Sequence, residues 1–443
     1  MLDSFPGNEA RANHPDIPCF QVRPDMKTKT IIICGCAVLI IVSAVFVALH
    51  LSHRNQGTVE PVPREINFNS TLALGVWTLD SVDNYQTVGT TPSETPVRIP
   101  AGAIWGVTPA ATTTFQATTN EVRVQSIPGL RLLSATDAEL VHLRGLKELH
   151  ALGLANTQIT DAGLAHLKDL SGLQTLDLRE TQITDAGLAH LKDLKELQTL
   201  RLADTQITGA GLAHLKDLKA LHTLELWRSQ VTDAGLAHLK DLKELQTLDL
   251  FGTPITDAGL AHLRNLKELQ TLGLAGSQMT DTGLAYLKDL KKLQTLWLAD
   301  TQITDTGLTH LKDLKGLHTL DLSTTQITDA GLVYLKDFRE LQTLGLAGTQ
   351  ITDGGLAYLK DFRELQTLGL EDTQITGTGL VHMKDLQSLR ELHLRNTQVT
   401  DSVLPHLNNL THLQWLNLRG TQITDAGIEN LRKALPSTHI SPP

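Results

Sequence analysis

From Leu149 onward the chain alternates two hydrophobic rhythms within every 24 residues. In the unit that opens at Leu173, Leu176 and Leu178 alternate with Thr175, Asp177 and Arg179. A period of two predicts a short strand with one face buried. Thr181-Gln182-Ile183 then predicts a turn whose isoleucine points inward. Leu188 and Leu191 follow at helical spacing, with Thr184 placed as N-cap, Asp185 at the helix start and Gly187 beside the leucines. That glycine is expected to let the helix approach the sheet.

The pattern recurs without insertion or deletion. Leu149, Leu173, Leu197, Leu221, Leu245, Leu269, Leu293, Leu317, Leu341, Leu365, Leu389 and Leu413 open twelve units, residues 149–436. Residues 125–148 form a degenerate cap repeat that still carries Thr136-Asp137-Ala138-Glu139-Leu140. One unit cannot bury its leucines alone. Stacking buries them against the next, so the strands form one parallel sheet. Strands pack more closely than helices, which puts the sheet on a concave face and the short helices on a convex one. The expected fold class is an α/β solenoid, preceded by a single transmembrane helix and a small β-rich segment.

The ninth position of each unit always carries a β-hydroxyl: Thr157, Thr181, Thr205, Ser229, Thr253, Ser277, Thr301, Thr325, Thr349, Thr373, Thr397 and Thr421. The chain turns inward there and leaves backbone groups without strand partners. A stacked hydroxyl ladder is expected to satisfy them.

The consensus L-x-x-L-x-L-x-x-T-x-I-T-D-A-G-L-x-x-L resembles the leucine-rich-repeat superfamily. Its I-T-D-A-G-L half is similar to that of F-box-associated, GALA-like and other bacterial repeat proteins, with Thr where that subclass has Cys or Asn. The resemblance covers residues 125 to about 436 and implies a horseshoe that binds protein. No F-box-like segment precedes it.

Upstream, residues 1–30 are polar and proline-containing and read as a cytoplasmic tail. Residues 31–51, IIICGCAVLIIVSAVFVALHL, contain no Asp, Glu, Lys or Arg. As a helix they would span ~31 Å, enough for the hydrocarbon core. They are expected to be a transmembrane signal-anchor. Arg11, Arg23, Lys27 and Lys29 precede that run, and Arg54 and Arg64 follow, which would place the solenoid outside the cytoplasm. Residues 52–65 read as a linker, 66–124 as the β-rich segment and 437–443 as a tail.

Composition narrows the chemistry. Aromatics are only 4%, so the core is built from aliphatic side chains. A net charge of -10 disfavours nucleic-acid binding. Cys19, Cys34 and Cys36 all precede the repeats, which therefore hold no disulfide or thiolate site. No phosphate-loop, nucleophile-elbow, zinc-protease or kinase motif occurs. Hence no enzyme, cofactor or metal is expected. His142, His166, His190, His214, His238, His262, His310, His382 and His406 share one repeat position, but Tyr286, Tyr334 and Tyr358 interrupt them. This reads as helix packing.

The units stop being copies on the concave face. The fifth position reads Asp177, Arg201, Glu225, Asp249, Gly273, Trp297, Asp321; the seventh reads Arg179, Ala203, Trp227, Phe251, Ala275, Ala299, Ser323. Trp227, Phe251 and Trp297 are expected anchors, with Arg179, Arg201, Glu225, Arg228, Asp249 and Asp321 setting specificity. A second patch comprises Arg390, His393, Arg395, Trp415 and Arg419. The expected function is a membrane-anchored module that binds an unknown protein or peptide. The alternative is a spacer solenoid at the cell envelope, favoured by the near-identity of neighbouring units.

Overall fold

The computed structural model describes residues 64–66, 72–79, 85–91, 97–100, 103–111 and 113–443. Each repeat contributes one three-residue strand, then a turn, then a single helical turn. The strands are β6 (Gly129–Arg131), β7 (Ala151–Gly153), β8 (Thr175–Asp177), β9 (Thr199–Arg201), β10 (Thr223–Glu225), β11 (Thr247–Asp249) and β12 (Thr271–Gly273). They continue as β13 (Thr295–Trp297), β14 (Thr319–Asp321), β15 (Thr343–Gly345), β16 (Thr367–Gly369), β17 (Glu391–His393), β18 (Trp415–Asn417) and β19 (His439–Ser441). Neighbours pair in parallel, in register at the 24-residue repeat: Leu224 lies opposite Leu200 and Leu248, Trp297 opposite Gly273 and Asp321. Register is set by the leucines, because a slip of one residue would turn them all out of the core.

The core is a set of leucine columns. In the unit from Leu245, Leu248, Leu250, Ile255, Leu260, Leu263 and Leu266 are all fully buried. Two repeats substitute Phe338 and Phe362 for a leucine of the last column, and both remain buried.

The ends of the stack are closed by different means. Upstream, β2 (Leu74–Leu79) pairs antiparallel with both β3 (Tyr85–Thr91) and β5 (Ile104–Pro109). β5 in turn pairs parallel with β6 through Val107 and Leu130, so the upstream strands join the solenoid sheet. β1 (Arg64–Ile66) and β4 (Val97–Ile99) form a separate antiparallel pair. The segment read from sequence as β-rich also contains α1 (Phe115–Val124), capped by Thr114, whose side chain accepts from Ala117 N–H. Downstream, helix Asp425–Ala434 leads into β19, which pairs with β18. The residues read as a tail thus add the last strand.

One expectation about the fold class is corrected. Among the described residues, no helix is long and apolar enough to cross a membrane. The two longest helices among the described residues, Phe115–Val124 and Asp425–Ala434, have 10 residues each. At that length they reach only ~15 Å, about half of a hydrocarbon core. Residues 31–51, where the transmembrane helix was expected, lie outside the described residues. The fold is the solenoid with its upstream strands.

Three features recur from unit to unit along the stack. The first is a carboxylate bridge between units. Asp161 Oδ1 accepts from Thr184 N–H at 2.8 Å and Oδ2 from Thr184 Oγ1 at 2.6 Å. The same pair forms between Asp185 and Thr208, Asp233 and Thr256, Asp257 and Thr280, Asp281 and Thr304, and Asp305 and Thr328. The glycine of the motif serves this bridge. A Cβ at Gly187 would lie 2.4 Å from Asp161 Oδ1. The close approach is to the preceding unit's carboxylate, and not, as the sequence reading had it, of helix to sheet.

The second feature is the hydroxyl at the ninth position. Thr253 Oγ1 donates to Leu250 O at 2.6 Å, and Thr157, Thr181, Thr205, Thr301, Thr325, Thr349, Thr373, Thr397 and Thr421 do the same within their own units. The bond closes inside one repeat instead of running between repeats. Ser229 Oγ and Ser277 Oγ are buried with no hydrogen-bond partner among the described residues. A serine lacks the γ-methyl that holds threonine in the bonding rotamer.

The third feature is a left-handed residue at the eighth position of all twelve units. Gly252, Gly276, Gly348 and Gly420 occupy it without strain, whereas Arg228 and Thr324 adopt φ 55 and 56 there.

Candidate functional site: the open face of the sheet

The strand leucines point into the core, so positions three, five and seven of each unit share the opposite, open face. At one end of that face the charges are paired internally. Asp177 accepts from Arg179 Nε at 2.9 Å and Nη2 at 2.7 Å. Arg201 Nε donates to Glu225 Oε1 at 3.0 Å, and Arg179 Nη1 lies 3.8 Å from Glu225 Oε2. Arg201 is 1% exposed. It is therefore a buried pairing residue in the sheet, not the accessible recognition residue expected. A buried guanidinium held by a carboxylate costs little only while the pair stays intact.

Trp227 and Phe251 occupy the seventh positions of adjacent units and are half-buried, as is Trp297 at a fifth position. Arg228, exposed, lies beside the Trp227 ring with its guanidinium carbon 5.8 Å from the centroid. The open face thus carries a short aromatic row.

Asp249 and Asp321 sit lower than the sequence pattern implies. Each accepts from the backbone N–H two residues on: Asp249 from Phe251 at 3.0 Å, Asp321 from Ser323 at 3.0 Å. Ser323 Oγ adds a bond of 2.6 Å to Asp321. Burial pushes the Asp249 carboxyl up to about 6, against a smaller lowering by the Phe251 N–H. Burial also raises Asp321, which the two Ser323 bonds oppose.

At the other end, His393 Nδ1 lies 3.6 Å from Glu371 Oε1 and its Nε2 lies 3.6 Å from Glu391 Oε2. Burial raises the Glu371 carboxyl and the His393 charge opposes it. Trp415 is 42% exposed and packs against His439, a residue of the last strand, with ring centroids 4.6 Å apart and the planes tilted by 42°. Arg390 and Arg419 are exposed and Arg395 is half-buried. Glu371 and His439 were missed in the sequence reading. Glu371 was within reach of it, because it breaks a run of small residues at the seventh position.

The helix side offers less chemistry. The histidines of the repeat are half-exposed or exposed, and among the described residues no group of His, Cys, Asp and Glu could hold a metal ion. A hollow of about 390 Å³ opens beside Gly209, lined by Thr208, Ala210, Gln230, Thr232 and His238 among others. Gly209 stands where other units carry the bridging aspartate, so Thr232 has no carboxylate to meet. The hollow is the gap left by that missing bridge.

Comparison with known proteins agrees with this architecture. The profile of a leucine-rich repeat region matches residues 112–356, and that of a single leucine-rich repeat matches 409–431. This chain belongs to the leucine-rich-repeat family. Among solved structures, an internalin of Listeria monocytogenes is similar at 26% identity and a TM-score of 0.56, over 73% of this chain and 88% of that one. A leucine-rich-repeat protein of Leptospira interrogans is similar at 20% identity and a TM-score of 0.52, over 74% and 91%. Both neighbours are bacterial, in line with the bacterial type of this leucine-rich-repeat chain. No curated protein sequence matches it. The fold is that of a protein–protein interaction module, since stacked repeats present an extended surface that other chains can lie against.

Proposed function

We propose that this chain binds a protein or peptide on the open face of its sheet, with Trp227, Phe251 and Trp297 as anchors. The observation that carries the reading is where the repeats diverge. Core columns, bridging aspartates and helix residues recur almost unchanged, while positions five and seven change from unit to unit and hold the three rings. Half-buried aromatic rings on a sheet face offer large apolar area at low rotamer cost, as interface hot spots do. The second patch, around Trp415 and Arg419, extends the same face. The spacer reading predicts no such concentration of aromatic rings on one face.

The test is selection of a displayed random-peptide library on the full chain, followed by affinity measurements on Trp227→Ala, Phe251→Ala and Trp297→Ala. Each is expected to cost ~2 kcal/mol or more of binding energy. His214→Ala and Lys216→Ala, on the helix side, should bind as the parent does. A library that yields no binder, or binders indifferent to all three ring variants, would sink the proposal and leave the spacer.

A further inference from the structure

We propose that the open face between β11 and β16 seats a basic, extended peptide segment, with Lys or Arg side chains four residues apart pairing with Asp249 and Asp321 on either side of Trp297. The inference rests on the reading of this face as the binding surface and adds the chemistry of the occupant.

The first ground is charge. Across these six strands the ionisable residues at positions three, five and seven are Asp249, Asp321 and Glu371, and no Lys, Arg or His shares those positions. The cations lie outside: Arg179 and Arg201 are engaged upstream, and His393 and Arg395 begin downstream.

The second ground is a comparison within the same sheet. Asp177, Asp249 and Asp321 occupy the same strand position and make the same bond to the N–H two residues on. Asp177 also holds its own guanidinium at 2.7 Å and is closed off, 1% exposed. Asp249 and Asp321 keep the backbone bond and lack the cation. What distinguishes them from the completed site is a guanidinium or ammonium group. The next strand after each carries glycine, and a Cβ at Gly273 or Gly345 would lie 2.4 or 2.3 Å from the respective Oδ1, so it is the carboxylate itself that fills the space above the glycine. Burial without a cation raises both carboxyls, an imbalance that a basic ligand would relieve.

The third ground is geometry. β11 and β14 are three strands apart, ~14 Å at ordinary strand spacing, and four residues of extended chain cover about the same distance. Trp297, between them, offers a ring face to a cation, as Trp227 does to Arg228 at 5.8 Å.

The experiment measures fluorescence anisotropy of a short labelled Gly/Ser peptide carrying two arginines four residues apart, titrated with the full chain. A peptide with two glutamates at those places is the comparison. Asp249→Asn and Asp321→Asn retain an acceptor for the backbone bond, as Asn417 does for Arg419 N–H at 3.2 Å. Each variant is expected to weaken the diarginine peptide by about tenfold or more. Asp193→Asn, exposed on the helix side, should leave it unchanged. Equal binding by the double Asn variant, or preference for the diglutamate peptide, overturns the inference. If the diarginine peptide fails while library-selected peptides still bind in a ring-dependent way, the inference falls and the binding surface stands. If neither binds, both fall.

Discussion

Asp161 reaches out of its own unit to hold Thr184 of the next, Oδ1 on the backbone N–H at 2.8 Å and Oδ2 on the hydroxyl at 2.6 Å. The aspartate that opens each helical turn is thus also the link between turns. Where Gly209 replaces it, the link is gone and a hollow takes its place.

Removing one bridge in the middle of the array should be costly. Asp257→Ala leaves Thr280 without either of its acceptors. The expected loss is about 1–3 kcal/mol, read as a lower urea midpoint for unfolding. Two bridges, those of Asp353 and Asp401, are also acid-sensitive. Bonds from Thr424 hold the Asp401 carboxyl below the usual range. At Asp353 burial acts upward, but bonds from Thr376, Gly379 and Gly377 outweigh it and lower the carboxyl. A depressed folded-state value stabilises above the unfolded value near 4 and is lost as pH falls through the folded one. Acid melts should therefore show stability declining below pH ~4.

Thr253→Val removes the hydroxyl that donates to Leu250 O at 2.6 Å and should cost about 1–3 kcal/mol. Thr253→Ser should also lose stability, because the serines at positions 229 and 277 leave their hydroxyls unbonded. Denaturant melts of the two variants check this. A Ser variant as stable as the parent would show that the γ-methyl is not needed.

At the eighth position a glycine should be an improvement. Thr324 is β-branched and held at φ 56. Thr324→Gly relieves that strain at the expense of a more flexible unfolded chain, for a net gain of about 1 kcal/mol. A lower thermal midpoint for this variant would contradict the argument.

Asp249 supplies a pH test with the opposite sign from the bridges. Burial pushes its carboxyl up to about 6 in the folded state, from an ordinary value of 3.8. The folded state therefore binds more protons than the unfolded state between those values, and stability falls as pH rises through that window. Asp249→Asn removes the penalty. It should be more stable than the parent at pH 7 by of the order of 2 kcal/mol, with the difference vanishing below pH ~4. Glu225 on β10, next to Asp249, is held by Arg201, so the difference belongs to Asp249. Equal urea midpoints at both pH values would refute it.

Much of this molecule was legible before any coordinate. The 24-residue period, the alternation around Leu176 and Leu178 and the helical spacing of Leu188 and Leu191 determine a stack of strand–turn–helix units, because no single unit can bury its own leucines. The aromatic row was legible too, since strand alternation puts Trp227, Phe251 and Trp297 on the open side. The left-handed eighth position left a trace in its glycines and asparagines that the sequence reading passed over. What only the tertiary structure decided is which polar groups meet across units. Asp161 and Thr184 are 23 residues apart and become partners through stacking, and Arg201 becomes a buried counterion because Glu225 lands beside it. Periodicity tells on which face a side chain stands. Whether a charge there is paired, laid against a glycine or left for a ligand depends on the identity of the neighbouring strand's residue, and that neighbour exists only once the chain has wound around by one full turn.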